Sequence, residues 1–256
     1  MTTRVALVTG GGRGIGRAIA LRLAGDGLAV AVAARTREQI EDTARAAGHG
    51  ALSVVLDVTD AASVTAAIER TTRELGPVDV LVNNAGVAES APFAKTEPDF
   101  WDRQFAVNVR GAYLLARAVV PGMLQRRWGR VINVASLAGL VGAPYVTAYT
   151  ASKHALVGFT RALAAEVSGR GVTVNALCPG FTATDIVWNG ARNIVAKTGK
   201  SFDDAVQALA ELNPGRRLIE PDEIAEAAAR LVADDTMNGE TVVIDGTAPA
   251  PKGLMR

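Results

Sequence analysis

The chain has 256 residues, 49% of them apolar and 5% aromatic, with 27 basic and 26 acidic side chains and a net charge of +1. It is long enough to bury a sizeable core; the balanced charge argues against nucleic acid or an anionic membrane as partner, and no run approaches the ~18 apolar residues of a membrane span. Cys178 is the only cysteine, which excludes an intrachain disulfide framework and fits a reduced, cytoplasmic setting, while Arg22 and Asp26 interrupt the first helical stretch and argue against a signal peptide.

Short, often β-branched apolar runs alternate with helical patterns from the start. A first strand is expected at 5–8, leading through Thr9-Gly10-Gly11-Gly12-Arg13-Gly14-Ile15-Gly16 into a helix at 14–24. Glycines let the backbone turn sharply and approach a ligand closely, and a helix N-terminus offers N–H groups and positive dipole character to a phosphate. The spacing is Gly10-x-x-x-Gly14-x-Gly16 rather than G-x-G-x-x-G, and a glycine cluster alone also describes ordinary tight turns. Its position between strand and helix points to nucleotide binding. The second strand, 29–33, ends Ala33-Ala34-Arg35-Thr36-Arg37, without the acid that holds the ribose of NAD. Arg35, assisted by Arg13, suits a 2′-phosphate through charge-assisted bonds; ordinary solvated arginines are the alternative. The missing acid favours NADP(H), with NAD(H) the other option.

Further along, helices are expected at 37–47 and 61–75 and strands at 52–56 and 80–82. The fourth strand leads into Asn83-Asn84-Ala85-Gly86, where asparagine can tie loops through backbone hydrogen bonds and Ala85 and Gly86 leave room for a ring. A long helix at 100–125 precedes a strand at 131–134, after which Ser136 should lie at the sheet's carboxyl edge, its hydroxyl available to a carbonyl oxygen. Plain turn residues are the competing reading of each. The next helix, 148–168, opens with Tyr149-Thr150-Ala151-Ser152-Lys153, whose i,i+4 spacing puts Tyr149 and Lys153 on one face. An ammonium beside the phenol and the helix N-terminus should both lower a pKa that is ordinarily about 10. Tyr-x-x-x-Lys alone is common and usually an exposed pair. A strand at 172–177 precedes 182–214, where Ser201-Phe202-Asp203-Asp204 resembles a capping box and predicts about three helical turns ending near Pro214. An insertion above a carboxyl edge is where a mobile lid sits; surface decoration is the alternative. A helix at 222–233 and a strand at 241–244 complete the alternation. His49 reads as solvated in a glycine-rich turn, His154 faces away from Lys153, Cys178 reads as packing, and no Cys/His grouping has metal-ligand spacing.

Repeated strand–helix alternation of about seven strands predicts an α/β fold, a Rossmann-like, doubly wound parallel sheet with ligands at the strands' carboxyl ends. No linker or repeat divides the chain, so one dinucleotide-binding and catalytic domain over 1–256 is expected, with a substrate lid at 184–214.

Together Thr9 to Gly16, Asp57-Val58, Asn83 to Gly86, Asn108, Ser136, Tyr149 to Lys153, and Pro179-Gly180 with Thr184 resemble the short-chain dehydrogenase/reductase family of single-domain type, in the family's order and over nearly the whole chain. The resemblance implies that Asp57 and Val58 hold an adenine, and that Asn84 and Ala85 line its ribose. It implies that Lys153 bonds the nicotinamide ribose and tunes Tyr149, and that Asn108 holds a water relaying protons from Lys153. The 179–184 loop would fix the carboxamide, Thr182 by its backbone and Thr184 by its hydroxyl. The implied reaction is hydride exchange between nicotinamide and a ketone or secondary alcohol. Ser136 and Tyr149 would hold the oxygen, and Tyr149 would supply the proton.

The pattern is nearest to 3-oxoacyl-thioester reductases, on coenzyme A or acyl carrier protein, and to polyketide ketoreductases. Phe181, Ile186, Val187, Trp188, Ile194 and Val195 on one side, and Leu137, Leu140, Val141 and Tyr145 on the other, are candidate pocket walls; packing or an oligomer contact would use the same residues. The resemblance also implies a homotetramer through the two long helices. Two features depart from it: Ile244-Asp245-Gly246-Thr247 lacks a second glycine that many relatives carry, and the tail 248–256 contains Pro249 and Pro251. Competing readings are an NAD-dependent dehydrogenase of a hydroxyacyl-CoA or another secondary alcohol, a sugar-nucleotide epimerase or dehydratase, and a non-catalytic nucleotide-binding regulator. The epimerase reading wants an additional substrate domain, and the regulator would be expected to lose one of Asn108, Ser136, Tyr149 or Lys153.

Overall fold

In the computed structural model, which describes residues 3–48 and 50–248, seven strands form one sheet of order β3-β2-β1-β4-β5-β6-β7. His49 and the tail from Pro249, including Pro251, lie outside the described residues. The strands are β1 (Val5–Thr9), β2 (Ala29–Ala34), β3 (Leu52–Val55), β4 (Val78–Asn83), β5 (Gly129–Val134), β6 (Val172–Pro179) and β7 (Thr241–Ile244), every neighbouring pair parallel. Parallel strands need both faces covered, hence the continuous apolar runs. Every residue of β1 is buried, with side chains alternating between two cores: Ala6 and Val8 enter one, Leu7 the other.

The first core is closed by α1 (Gly14–Gly25), α2 (Arg37–Ala47) and α9 (Pro221–Ala233), through Ile19, Leu23, Ile40, Ile224 and Leu231. The second is closed by α3 (Ala61–Glu74), α5 (Gly111–Arg126) and α6 (Thr147–Val167), through Val64, Leu115, Met123 and Val167. This is the doubly wound sheet expected from the alternation. Chain direction across the sheet reverses between β1 and β4, so a crevice opens there at the carboxyl ends.

Three elements differ from expectation. The helix at 100–125 is compound: α4 (Pro98–Phe105), a π turn (Ala106–Arg110), then α5. A Cβ on Gly111 would meet Val58 Cγ2 at 2.8 Å, so a glycine lets the helix pass close to the loop after β3. The segment 182–214 holds two helices, α7 (Asp185–Thr198) and α8 (Phe202–Ala210). Gly190, Asn189 and Asn193 dilute the helical pattern of α7, and α8 stops four residues before Pro214. At the start of α8, Ser201 Oγ accepts from Asp204 N at 3.1 Å and donates to the Asp204 carboxylate at 2.7 Å. The acid thus engages the serine hydroxyl. A full reciprocal box sits instead on α9, between Glu220 and Glu223. Finally, β6 runs on to Pro179, placing Cys178 and Pro179 beside Val243 and Ile244. Among the described residues, no helix is long and apolar enough to cross a membrane.

Candidate active site

The crevice between β1 and β4 is stitched by one hydroxyl and one amide. Thr9 Oγ1 donates to the Val82 carbonyl at 3.1 Å and accepts from the backbone N–H groups of Asn84 and Ala85, each at 3.0 Å. Asn84 Nδ2 donates to the carbonyls of Thr9, 2.8 Å, and Gly10, 3.2 Å. A Cβ on Gly16 would collide with the Gly10 carbonyl and the Asn84 amide, and Gly10 has φ +62. The glycines therefore let three backbone segments meet. No side chain caps the first turn of α1, and no acid lies in it, so its N–H groups and dipole face the crevice ready for an anion.

At the far end of the crevice Arg35 is exposed after β2. Asp57 accepts from the Thr59 hydroxyl at 2.7 Å and backbone N–H at 2.9 Å, bonds that hold its carboxyl below the usual carboxylate range, with a smaller contribution from Arg35. Val58 is buried beside it. Arg13 pairs with Asp185, the first residue of α7, at 2.7 Å. Gly14 is the other point of approach: a Cβ there would stand 3.2 Å from Thr184 Cγ2.

Ser136 caps the short 3₁₀ turn Leu137–Gly139, its Oγ accepting from Ala138 N at 3.1 Å. Tyr149 lies in the first turn of α6, its phenol near enough to Ser136 for the serine to favour its ionised form. Lys153 is buried, Nζ donating to the Val134 carbonyl at 2.8 Å and lying 5.8 Å from the centre of the Tyr149 ring. The expected depression of the phenol differs from what the site shows. Burial pushes Tyr149 above its ordinary value, offset in part by Ser136, and burial pushes Lys153 down to about 8. Desolvation opposes both charged forms. A Cβ on Gly86 would sit 3.5 Å from Nζ.

Asn108 lies in the π turn. Its Oδ1 accepts from Val87 N at 2.9 Å, and its Nδ2 donates to the Val87 carbonyl at 3.0 Å and to Ser152 Oγ at 2.9 Å. Its amide therefore positions the loop after β4 against α6. Beneath it runs a buried chain that the sequence reading missed: Asn83 Nδ2 to Asn133 Oδ1, Asn133 Nδ2 to Thr160 Oγ1, and Thr160 to the Leu156 carbonyl, each 2.8 Å. Three polar residues in apolar strands and helix were the available signal. Cys178 is fully buried behind Ser136, its thiol pushed up by burial. His154 is exposed and bonds the Thr150 carbonyl of its own helix.

The loop after β6 is also clamped by a residue the sequence reading passed over. Buried Asn213 accepts from Phe181 N at 2.8 Å and donates to the carbonyls of Phe181, 2.9 Å, and Arg217, 2.6 Å. A Cβ on Gly180 would collide with it. Within the loop, the Thr182 hydroxyl donates to the Gly180 carbonyl at 3.1 Å and the Thr184 hydroxyl to the Thr182 carbonyl at 3.2 Å. Of the candidate walls, Val187 is buried and Trp188 packs on Phe202, whereas Phe181, Ile186, Val141 and Tyr145 are exposed. The arrangement can seat a phosphate at α1, and it places two hydroxyls and a buried amine where a proton can pass to or from an oxygen.

Comparison with known proteins gives the same outline. A family model described as short chain dehydrogenase matches residues 4–194. Oxidoreductase UcpA of Escherichia coli is 37% identical over 257 residues, covering 98% of this chain and 97% of that protein. The 3-oxoacyl-[acyl-carrier-protein] reductase FabG of Pseudomonas aeruginosa is 39% identical over 248 residues, covering 95% and 96%. Among solved structures, an actinorhodin polyketide ketoreductase crystallised with NADPH superposes with TM-score 0.91 at 35% identity, covering 95% of this chain and 96% of that one. Levodione reductase superposes with TM-score 0.88 at 33% identity, covering 96% and 98%.

Proposed function

The chain belongs to the short-chain dehydrogenase/reductase family and is an NAD(P)-dependent oxidoreductase, and on that premise we propose that it reduces a 3-oxoacyl thioester or a polyketide-like ketone with NADPH. The observation that carries the reading is buried Lys153, its Nζ 5.8 Å from the Tyr149 ring and bonded to the end of β5 just before Ser136, beside an uncapped glycine-rich helix start.

When bound, the nicotinamide supplies the hydride. Ser136 and Tyr149 donate hydrogen bonds to the carbonyl oxygen and stabilise charge as it develops. Tyr149 then gives its phenolic proton to that oxygen; its raised pKa keeps the proton in place until the oxygen becomes basic. Lys153 supplies a positive charge below Tyr149 and bonds the cofactor ribose. Gly10, Gly14, Ile15 and Gly16 hold the pyrophosphate, and Asn84, Ala85 and Gly86 line the path to the ring. Asp57 and Val58 hold the adenine, and Pro179, Gly180, Thr182 and Thr184 hold the carboxamide. The Asn108 amide is engaged by protein partners, so the relaying water is assigned to its main-chain carbonyl within the π turn.

NADPH is preferred because no acid ends β2 and Arg35 is exposed there. Arg13 adds a second contact at the expense of its exposed pair with Asp185, worth ~0–1 kcal/mol. That pairing also favours a second reading, an NAD-dependent dehydrogenase of a hydroxyacyl-CoA or other secondary alcohol, since it leaves Arg35 alone for a 2′-phosphate. The relatives named as acyl-carrier-protein reductases support a thioester substrate on that carrier or on coenzyme A. A homotetramer through α5 and α6, a lid over 184–214 and a cytoplasmic setting complete the proposal.

The test follows NADPH and NADH oxidation with 3-oxoacyl thioesters, cyclic ketones and secondary alcohols, using wild type and Tyr149→Phe. NADPH should give the higher kcat/KM, and Tyr149→Phe should bind cofactor yet lose ~10²–10⁴ in turnover. Near-wild-type kcat in Tyr149→Phe would sink the assignment. A preference for NADH would remove the role given to Arg35, and cofactor binding without turnover on any substrate would favour a regulator.

A further inference from the structure

Ser152 stands immediately before Lys153 in α6 and is fully buried. Its hydroxyl has two partners. It donates its single proton to the Tyr149 carbonyl, three residues back, at 2.7 Å, and it accepts from Asn108 Nδ2 at 2.9 Å. A helical serine that bonds only its own turn is commonplace and carries no functional message. The second bond sets Ser152 apart. Among the described residues it is the only side-chain hydrogen bond that joins the π turn to α6.

That bond has a fixed polarity. The serine proton is taken by a carbonyl, which can only accept, so the oxygen facing Asn108 must receive. The Asn108 amide therefore turns its nitrogen toward α6. Its nitrogen also meets the Val87 carbonyl at 3.0 Å, and its oxygen meets the Val87 N–H at 2.9 Å. Val87 and Ser152 thus fix the amide together, one from the loop after β4 and the other from α6. Lys153, the next residue, grips the other side: its Nζ reaches the Val134 carbonyl at the end of β5. Neighbouring helical residues point about 100° apart, so the start of α6 is held between the π turn and the sheet. A Cβ on Gly86 would stand 3.2 Å from Asn108 Oδ1 and 3.5 Å from Lys153 Nζ. The two groups flank one point, and Ser152 is the tie between the elements that carry them.

We propose that Ser152 is a positioning residue for proton return: its hydroxyl orients the Asn108 amide and holds the π turn against the helix of Tyr149 and Lys153, so that a water on the turn's main-chain carbonyl can pass a proton to Lys153. The inference rests on the reductase reading and deepens it. Each reduction takes one proton from Tyr149, and the site works again only when one comes back from solvent. A π turn that drifts from Lys153 slows that return. The glycine turn and Ser136 belong to other elements, so the seats of cofactor and ketone stay in place.

The experiment compares wild type, Ser152→Ala, Asn108→Ala and the double variant, each well below its own Tm. Alanine is favoured inside a helix, so Ser152→Ala should fold. One arm follows NADPH oxidation with ethyl acetoacetate in H₂O and D₂O, with NADPH binding read by fluorescence. The other arm reads amide hydrogen exchange over residues 84–91. In Ser152→Ala, kcat should fall about ten-fold, the size of one lost hydrogen bond. The D₂O effect on kcat should grow, while KM and the Kd for NADPH stay within about two-fold of wild type. Exchange over 84–91 should quicken in Ser152→Ala. The double variant should exchange no faster than Asn108→Ala, because Ser152 acts through Asn108. An unchanged kcat, a loss of kcat with an unchanged D₂O effect, KM and Kd rising along with that loss, or further quickening in the double variant would overturn the proposal. Wild type that reduces no ketone would refute the reductase reading alone, since the exchange comparison still decides whether Ser152 positions Asn108.

Discussion

Lys153 carries a titration that can be measured without any substrate. Burial lowers it from 10.5 to about 8, so between those values the unfolded chain binds a proton that the folded one has released. Stability therefore rises with pH across that window, because ∂ΔG/∂pH follows the protons bound unfolded minus folded. Below pH 8 the folded protein carries a buried ammonium at a cost of ~3 kcal/mol. Wild type should thus gain stability relative to Lys153→Met as pH climbs from about 8 toward 10.5, read by chemical unfolding in parallel series; a pH-independent difference would refute the shift. The comparison cancels Tyr149, whose raised pKa works the opposite way at the alkaline end. The meeting of Ser136, Tyr149 and Lys153 was legible because strand ends and an i,i+4 step constrain them locally. The direction of the Tyr149 shift was not, because spacing reports a neighbouring charge but not how much water is lost. Arg13 was read as free for a phosphate for the same reason: nothing local announces a partner on α7.

At the scale of elements, the loop after β6 owes its shape to Asn213, thirty-two positions from Phe181 in sequence. Asn213→Ala removes three hydrogen bonds and leaves the backbone N–H and C=O of Phe181 without these partners. The expected loss is ~2–4 kcal/mol, seen as a fall of several degrees in Tm, together with weaker NADPH binding by titration. An unchanged Tm would show that Asn213 does not clamp the loop. Sequence pattern marked Pro214 only as the neighbourhood of a helix end and gave Asn213 no role, since a bond closed over so many residues leaves no periodic trace. The π turn around Asn108 was hidden similarly, its residues fitting the apolar period on either side. α7 was missed because asparagines and Gly190 weaken its local preference, and packing against α8 restores the helix.

For the molecule as a whole, the strands, their parallel direction and the carboxyl-edge location of the crevice followed from alternation alone, while the partner of each helix did not. The lid proposed over 184–214 makes a test at this scale. α7 and α8 pack on each other and reach the glycine turn through the exposed Arg13–Asp185 pair, so they should open more readily than α6. Amide hydrogen exchange in the free enzyme should be faster in α7 and α8 than in α6, and should slow when NADPH and a ketone are added; exchange unchanged by either ligand would refute the lid. The pairing of α1 with α9 has a consequence of another kind. The apolar side of α1, including Ile19 and Leu23, is covered by Ile224 and Leu231 of a helix made some two hundred residues later. As the chain leaves the ribosome, α1 can meet β1, β2 and α2 early, but the part of its apolar side that faces α9 has no native partner through almost all of translation. The nascent chain therefore carries an unpartnered apolar strip, prone to aggregate, until α9 emerges.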